Sequence, residues 1–115
     1  MSKRCPKLID GVWSNMRHPD SFEIPDQAVR ESLRVGDMVK ISFEETSSFG
    51  AERIWAQVTK IQHRGQRKYE GELRNTPFFI PYDFGSKVTF NAEHVIGVHM
   101  DDDEYAKRIL EVHAA

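Results

Sequence analysis

The first question that the chain's ionisable side chains raise is whether they carry out acid/base catalysis. A carboxylate and an imidazole exchange protons with a substrate when they lie together, and Glu52 or Glu93 with His94 offers that pairing. No serine lies in a nucleophile-elbow motif, and the sequence has no glycine-rich phosphate loop. The 5 histidines show no pair at helical or zinc-finger ligand spacing. We therefore predict no catalytic residues, no metal and no cofactor, and a hydrolase-like enzyme built on Glu52 and His94 is the least favoured alternative.

A tryptophan on a predicted strand is the strongest candidate for binding. The run that begins at Glu52 and Arg53 alternates apolar and polar residues, which places Trp55 on the face opposite Ile54 and Ala56. An outward-facing tryptophan beside a long loop is a common anchor for a partner. The alternative is that the N-terminal arm or a C-terminal helix covers the indole.

A second candidate is the extended segment that follows the third predicted strand. It carries two consecutive phenylalanines between Pro77 and Pro81, and prolines at both ends would hold it rigid. The alternative is an edge strand whose prolines block further pairing. The candidate binding residues of this segment are Asn75, Pro77, Phe79 and Tyr82.

Basic residues on and beside a predicted hairpin provide an alternative function, the binding of nucleic acid. A hairpin tip that is simply solvated explains the same charges, and a formal net charge of -2 gives no general attraction to phosphate backbones. The residues concerned are Arg64, Arg67, Lys68 and Arg74, with His63 beside them.

The elements that must position these residues follow from hydrophobic periodicity. Period-two alternation predicts antiparallel strands that are half buried. We predict strands at about 37–44, 52–62, 67–74, 86–91 and 94–100, a short helix at 26–33 and a C-terminal helix at 101–115. Residues 1–24 are predicted to form an irregular arm with Trp13 and Phe22 laid against the domain.

Together these elements predict an α+β domain that spans residues 1–115, with the helix and β core over 25–100. The expected architecture is a small five-stranded antiparallel curled sheet or an SH3-like partly open barrel, flanked by a short N-terminal helix and a C-terminal helix. The single cysteine excludes an internal disulfide. No apolar run reaches membrane-spanning length and no signal peptide is visible, so a cytoplasmic location is expected.

Several segments resemble an uncharacterised bacterial family of the YegJ type. The resemblance is carried by residues 18–25, 33–40, 52–59, 69–77, 85–90 and 93–96. Its more specific parts are Glu-Arg-x-Trp at 52–55 and Asn-x-Pro at 75–77, although Thr76 stands where members of the family often carry an acidic residue. The resemblance implies a bacterial source and a shared fold, with no assigned activity. A site common to the family would fall on Glu52, Trp55, Asn75, Pro77 and His94.

These observations favour a non-enzymatic binding or accessory module that recognises a protein or a peptide. The Trp55 face and the 75–82 segment would form its binding surface, and its partner and oligomeric state are not specified by the sequence.

Overall fold

The alternating runs of the sequence form one antiparallel sheet in the computed structural model, which describes residues 7–44, 51–63 and 67–114. The strands are β1 (Met38–Phe43), β2 (Glu52–Gln62), β3 (Lys68–Leu73), β4 (Lys87–Asn91) and β5 (Gly97–His99), in the spatial order β4-β3-β2-β1-β5. The helices are α1 (Gly11–Arg17), α2 (Gln27–Arg30) and α3 (Asp102–Ala114), and a 3-10 helix spans Ala92–His94. The predicted α+β class and the five-stranded antiparallel sheet are confirmed.

Side-chain alternation along the strands produces one apolar face. On β2, Ile54, Ala56 and Val58 are buried, whereas Trp55 and Gln57 between them keep part of their surface exposed. Facing strands continue the layer, since Ile41 pairs with Ile54 and so lies on the same side of the sheet. The remaining members of this core include Leu33, Val39, Phe43, Tyr69, Leu73, Val88, Phe90 and Val95.

The sheet is curled and open rather than closed into a barrel. Its two edges, β4 and β5, are joined by the five residues 92–96, three of which form the 3-10 helix. In a flat sheet of five strands the edges would lie about 19 Å apart. The 92–96 link reaches only about 16 Å, because its three 3-10 residues rise about 2 Å each and its other steps at most about 3.3 Å each. The sheet must therefore bend to bring its edges closer.

The N-terminal arm differs from its prediction. Residues 11–17 form α1, because the Asp10 carboxylate accepts a hydrogen bond from the Trp13 backbone N–H at 3.0 Å and caps the helix. The prediction of an irregular segment here is therefore wrong, and Trp13, which was expected to lie against the domain, is 58% exposed. Phe22 is half-buried and lies 5.5 Å from the Arg53 guanidinium, which places it on the polar face of the sheet.

The C-terminal helix is attached to the sheet by a buried ion pair. The guanidinium of Arg108 on α3 contacts both oxygens of Asp37, just before β1, at 2.7 and 3.1 Å. The Arg108 side chain is 6% exposed and that of Asp37 is 14% exposed. Glu104, one turn earlier on α3, accepts a hydrogen bond from Arg108 Nε at 2.5 Å. Hydrogen bonding to Asp37 raises the pKa of Arg108 above its ordinary value, so the cation is held at every accessible pH.

A buried tyrosine ties the sheet to the segment that follows α2. The Tyr69 hydroxyl donates to the carbonyl oxygen of Arg30 at 2.9 Å and accepts from the Leu33 N–H at 3.3 Å. Its burial raises the pKa of Tyr69, because the phenolate would be cut off from water. The hydroxyl is therefore both a structural contact and an alkaline titration site.

We expect Tyr69→Phe to lower the free energy of unfolding at pH 7 by about 1–3 kcal/mol, since two buried backbone groups lose their partner. The folded-state pKa of Tyr69 lies above its unfolded value of about 10. Its contribution is therefore complete below about pH 10 and is lost as the pH rises through the folded-state pKa. Urea unfolding between neutral and strongly alkaline pH will show a weaker alkaline decline in Tyr69→Phe than in the original chain. Tyr82→Phe is the matched control, and equal alkaline slopes in all three proteins would contradict the prediction.

Candidate functional site

A carboxylate at the start of β2 holds the segment that carries the two phenylalanines. Glu52 Oε2 accepts from the Phe78 N–H at 2.6 Å, and Glu52 Oε1 accepts from the Phe79 N–H at 3.0 Å. Hydrogen bonds to an ionised acceptor are shorter and stronger than neutral ones. One side chain therefore fixes two consecutive backbone amides of an otherwise irregular segment.

An asparagine makes a second link between the same two parts of the chain. The Oδ1 atom of Asn75 accepts from the Trp55 N–H at 2.9 Å, and the Trp55 carbonyl accepts from the Arg74 N–H at 2.8 Å. β3 ends at Leu73, so no backbone carbonyl of that strand is left to accept from the Trp55 N–H, and the Asn75 side chain accepts from it instead. The Glu-Arg-x-Trp and Asn-x-Pro elements of the sequence thus meet in space.

We expect Glu52→Ala to speed amide hydrogen exchange at Phe78 and Phe79 by about 5- to 100-fold, because each amide loses an acceptor worth about 1–3 kcal/mol. Glu52→Gln retains one carbonyl acceptor and will give a smaller effect. Glu72→Ala, on the neighbouring strand β3, is the control. Unchanged exchange at both amides in Glu52→Ala would show that the segment is held by other contacts.

The two phenylalanines form an exposed feature that we call the aromatic ridge, defined as Phe78 and Phe79. Phe78 is 87% exposed and Phe79 is 45% exposed, with ring centroids 6.2 Å apart. The next residue, Ile80, is buried in the core and anchors the ridge from below. No strand forms here, so the alternative interpretation of this segment as an edge strand is wrong.

The other predicted residues of this segment serve to support the ridge. Tyr82 packs its ring against Phe43 with centroids 5.7 Å apart, and it is partly buried against the core. Pro77 lies between Asn75 and the ridge and is half-buried. Both residues therefore position the ridge rather than add to its exposed surface.

Trp55 lies on the outer face of the sheet, as the alternation predicts. It stands opposite Lys40 of β1, whose Nζ lies 4.8 Å from the indole centroid. The ring of His99 on β5 meets the indole edge-on at 6.0 Å. The indole is half-buried by these neighbours and keeps an exposed surface.

Cations accompany the aromatic rings of this outer face. Lys40 lies over Trp55, and Arg53 lies over Phe22. The Arg74 guanidinium lies 5.1 Å from the ring centroid of Phe84, which is itself exposed. Within the ranges that the structure describes, none of these three cations forms an ion pair with a carboxylate. The alternation along the first predicted strand could have placed Lys40 on this face, whereas Phe84 lies in a loop with no periodicity.

The basic residues predicted to contact nucleic acid are not gathered into one patch. Arg64 lies outside the residues that the structure describes. Arg67 donates to the carbonyl oxygens of Glu31 at 2.9 Å and Leu33 at 2.6 Å, so its guanidinium holds the end of α2. Lys68 opens β3 and Arg74 follows its far end, about 20 Å away at the usual strand rise. Arg74 is therefore too far from Lys68 to share a patch with it, and the Arg67 guanidinium is already bonded to two backbone carbonyls.

The carboxylate and imidazole of the predicted acid/base pair, Glu52 and His94, are each bonded to a different part of the backbone. His94 lies in the 3-10 helix, where its Nδ1 accepts from the Asn91 N–H at 3.0 Å. Both carboxylate oxygens of Glu52 accept backbone N–H groups, and no hydrogen bond or ion pair joins Glu52 to His94 in the described part of the chain. Glu93 accepts from the Asn91 side-chain amide at 3.3 Å. These contacts are structural hydrogen bonds of a short helix.

The described residues offer neither a cluster of metal ligands nor a membrane-spanning helix. No three histidine, cysteine, aspartate or glutamate side chains among them gather as metal ligands would. No helix among them has the length and apolar character needed to cross a bilayer. The chain matches no protein-family model, no curated protein and no solved structure.

Proposed function

We propose that this chain is a non-enzymatic binding module that holds a segment of a protein or peptide partner on the aromatic ridge and the Trp55 surface. The observation that carries the proposal is the 87% exposure of Phe78 on a backbone that Glu52 holds in place. A large apolar ring in water is costly, and burying it against a partner recovers about 1.5–3 kcal/mol. Because the backbone is already fixed, binding would order little additional chain.

The charges around Trp55 and on the same outer face indicate the chemistry of the partner. Arg74, Lys40 and Arg53 bring three positive charges to the outer face, each over an aromatic ring. A segment that carries acidic residues beside apolar ones would pair with these cations while its apolar side chains contact the rings. Complementary charge of this kind also speeds association at low salt.

The family resemblance enters as part of the same proposal. The structure brings the Glu-Arg-x-Trp and Asn-x-Pro elements into contact through the Asn75 and Glu52 hydrogen bonds. Residues that support a common ridge would be retained together in a YegJ-type family. We propose a bacterial cytoplasmic protein of that type on this basis.

The direct test is selection of displayed random peptides on the full chain, followed by affinity measurement of the selected peptides. We expect Phe78→Ser to weaken binding about 30-fold or more, the loss typical of an aromatic residue at the centre of an interface. Leu110→Ser is the matched control, because Leu110 is also a large exposed apolar residue, at 69%, but lies on α3. Failure to select any peptide, or equal losses in the two variants, would refute the proposal.

A second variant, Trp55→Ala, tests the Trp55 surface. We expect it to weaken binding of the selected peptides by about tenfold or more while changing stability less than a core truncation, which costs about 2–5 kcal/mol. Peptide affinity and urea unfolding measure the two effects separately. A stability loss of core size with unchanged affinity would assign Trp55 to the packing of the sheet.

A further inference from the structure

A hollow of about 440 Å³ lies on a different part of the molecule, between α2 and the 3-10 helix. Val12 and Ala92 supply apolar wall, and the arginines Arg30 and Arg67 line it as well. Its size falls within the usual range for sites that bind small molecules. None of these residues belongs to the aromatic ridge or to the Trp55 surface.

Arg30 is the first unusual feature of this hollow. The residue is only 7% exposed, yet its guanidinium contacts neutral groups, the carbonyl oxygens of Pro25 at 2.9 Å and Ala92 at 3.3 Å. No carboxylate lies within ion-pair distance of it among the described residues. A guanidinium cannot lose its proton in a protein, and a buried charge without a counter-ion is costly.

Arg67, a half-buried residue of the same lining, also contacts neutral groups. Its two terminal nitrogens donate to carbonyl oxygens of Glu31 and Leu33, and its Nε is buried without a hydrogen-bond partner. It too forms no ion pair in the described ranges. Carbonyl oxygens satisfy N–H groups but do not neutralise the charge, so two cations that form no ion pair in the described ranges line one hollow.

Two carboxylates at the hollow do not supply the missing counter-charge. Glu31 is exposed and accepts from the Gln27 side-chain amide at 3.2 Å. Glu93 accepts from the Asn91 side-chain amide at 3.3 Å. Neither carboxylate forms an ion pair with Arg30 or Arg67 in the described ranges, and the two arginines bond backbone carbonyls instead.

We propose that this hollow is a binding site for a small organic molecule with an oxyanion, a carboxylate or a phosphate, placed against Arg30 and Arg67. Guanidinium groups bind both oxyanions through paired N–H donors, which suits either source of the charge. The body of the molecule lies along Val12 and Ala92, and the amides of Gln27 and Asn91 are within the lining to orient it. The site is independent of the peptide-binding surface.

The test is titration of the isotope-labelled full chain with inorganic phosphate, acetate, O-phosphoserine and citrate, followed by amide chemical shifts at constant ionic strength. We expect saturable shifts at Arg30, Arg67 and Ala92 at millimolar concentrations, with tighter binding for the two larger molecules because they also fill the hollow. The phosphate and carboxylate members of the set identify which oxyanion the site prefers. Shifts that do not saturate for any of the four would overturn the proposal.

Arg67→Gln will lower the affinity at least tenfold, whereas the matched charge change Lys68→Gln will leave it within twofold, because Lys68 is exposed and does not line the hollow. Arg67→Lys keeps the charge without the paired donors and will lower the affinity at least threefold. This variant, compared with Lys68→Arg, decides the matter if loss of the carbonyl contacts unfolds Arg67→Gln. Equal effects of the substitutions at 67 and 68 would overturn the assignment.

Discussion

Arg108→Ala will lower the free energy of unfolding by about 3–5 kcal/mol, because it leaves the Asp37 carboxylate buried without its partner. The guanidinium holds both oxygens of that carboxylate, and both side chains are largely shielded from water. The same substitution frees Glu104 and releases the contact of Arg108 with the Ser32 carbonyl. Urea unfolding at neutral pH measures the loss.

A surface ion pair between α3 and the segment before β1 provides the control. Arg34 contacts Glu111 at 2.5 Å, but the two side chains are 52% and 43% exposed. Exposed pairs contribute about 0–1 kcal/mol, so Arg34→Ala will cost little. In the double variant Asp37→Ala/Arg108→Ala no charge is left buried alone, and its loss will be smaller than the sum of the single losses. Additive losses would show that the pair is not energetically coupled.

Gly71→Ala will destabilise the chain by about 1–3 kcal/mol or more, because the strand leaves no space for a methyl group. A Cβ at Gly71 would lie 2.7 Å from the Gln57 carbonyl oxygen and 3.3 Å from the Phe90 ring. The close approach coincides with the register shift between Val58 and Lys60 on β2, where the sheet twists strongly. Because the obstructing atom belongs to the backbone, relief requires movement of a whole strand.

Gly97→Ala is the matched substitution on β5. Its Cβ would meet the Lys40 Cβ at 3.2 Å, a side-chain contact at a sheet edge that yields by a few tenths of an ångström. We expect its cost to be clearly smaller when both variants are unfolded in urea. A larger cost at position 97 than at position 71 would contradict this interpretation of the sheet.

The strands were predictable because side chains on a strand alternate between the two faces of the sheet, so apolar and polar residues alternate in the sequence with period two. β2 begins and ends at 52 and 62 as expected, and Asp101 caps α3 by accepting from the Glu104 N–H. The helix α1 was not predicted, because seven residues are too few to form a helix without tertiary support. That support comes from close packing of α1 against Ile96, a residue far away in the sequence. The helix approaches so closely at Gly11 that a Cβ there would lie 2.7 Å from the Ile96 side chain.

The candidate site was predictable only in part. The alternation places Trp55 outward without reference to any loop. The functions of Glu52 and Asn75 as acceptors of backbone N–H groups depend on the path of a loop that starts twenty or more positions away, which no local pattern encodes. Arg67 was assigned to a solvated or nucleic-acid-binding tip, yet it reaches back to α2, because long side chains bridge elements that the sequence keeps apart.

The place of β5 beside β1 separates local from long-range strand pairing, and this has a consequence for folding. Neighbouring strands from β1 to β4 are paired in sequence order, so each pairing closes only a local loop. The pairing of Lys40 with Gly97 joins residues about sixty positions apart and carries the larger entropic penalty. β5 and the helix that bonds Asp37 follow one another directly along the chain, so we expect them to dock on β1 together, after the meander has formed.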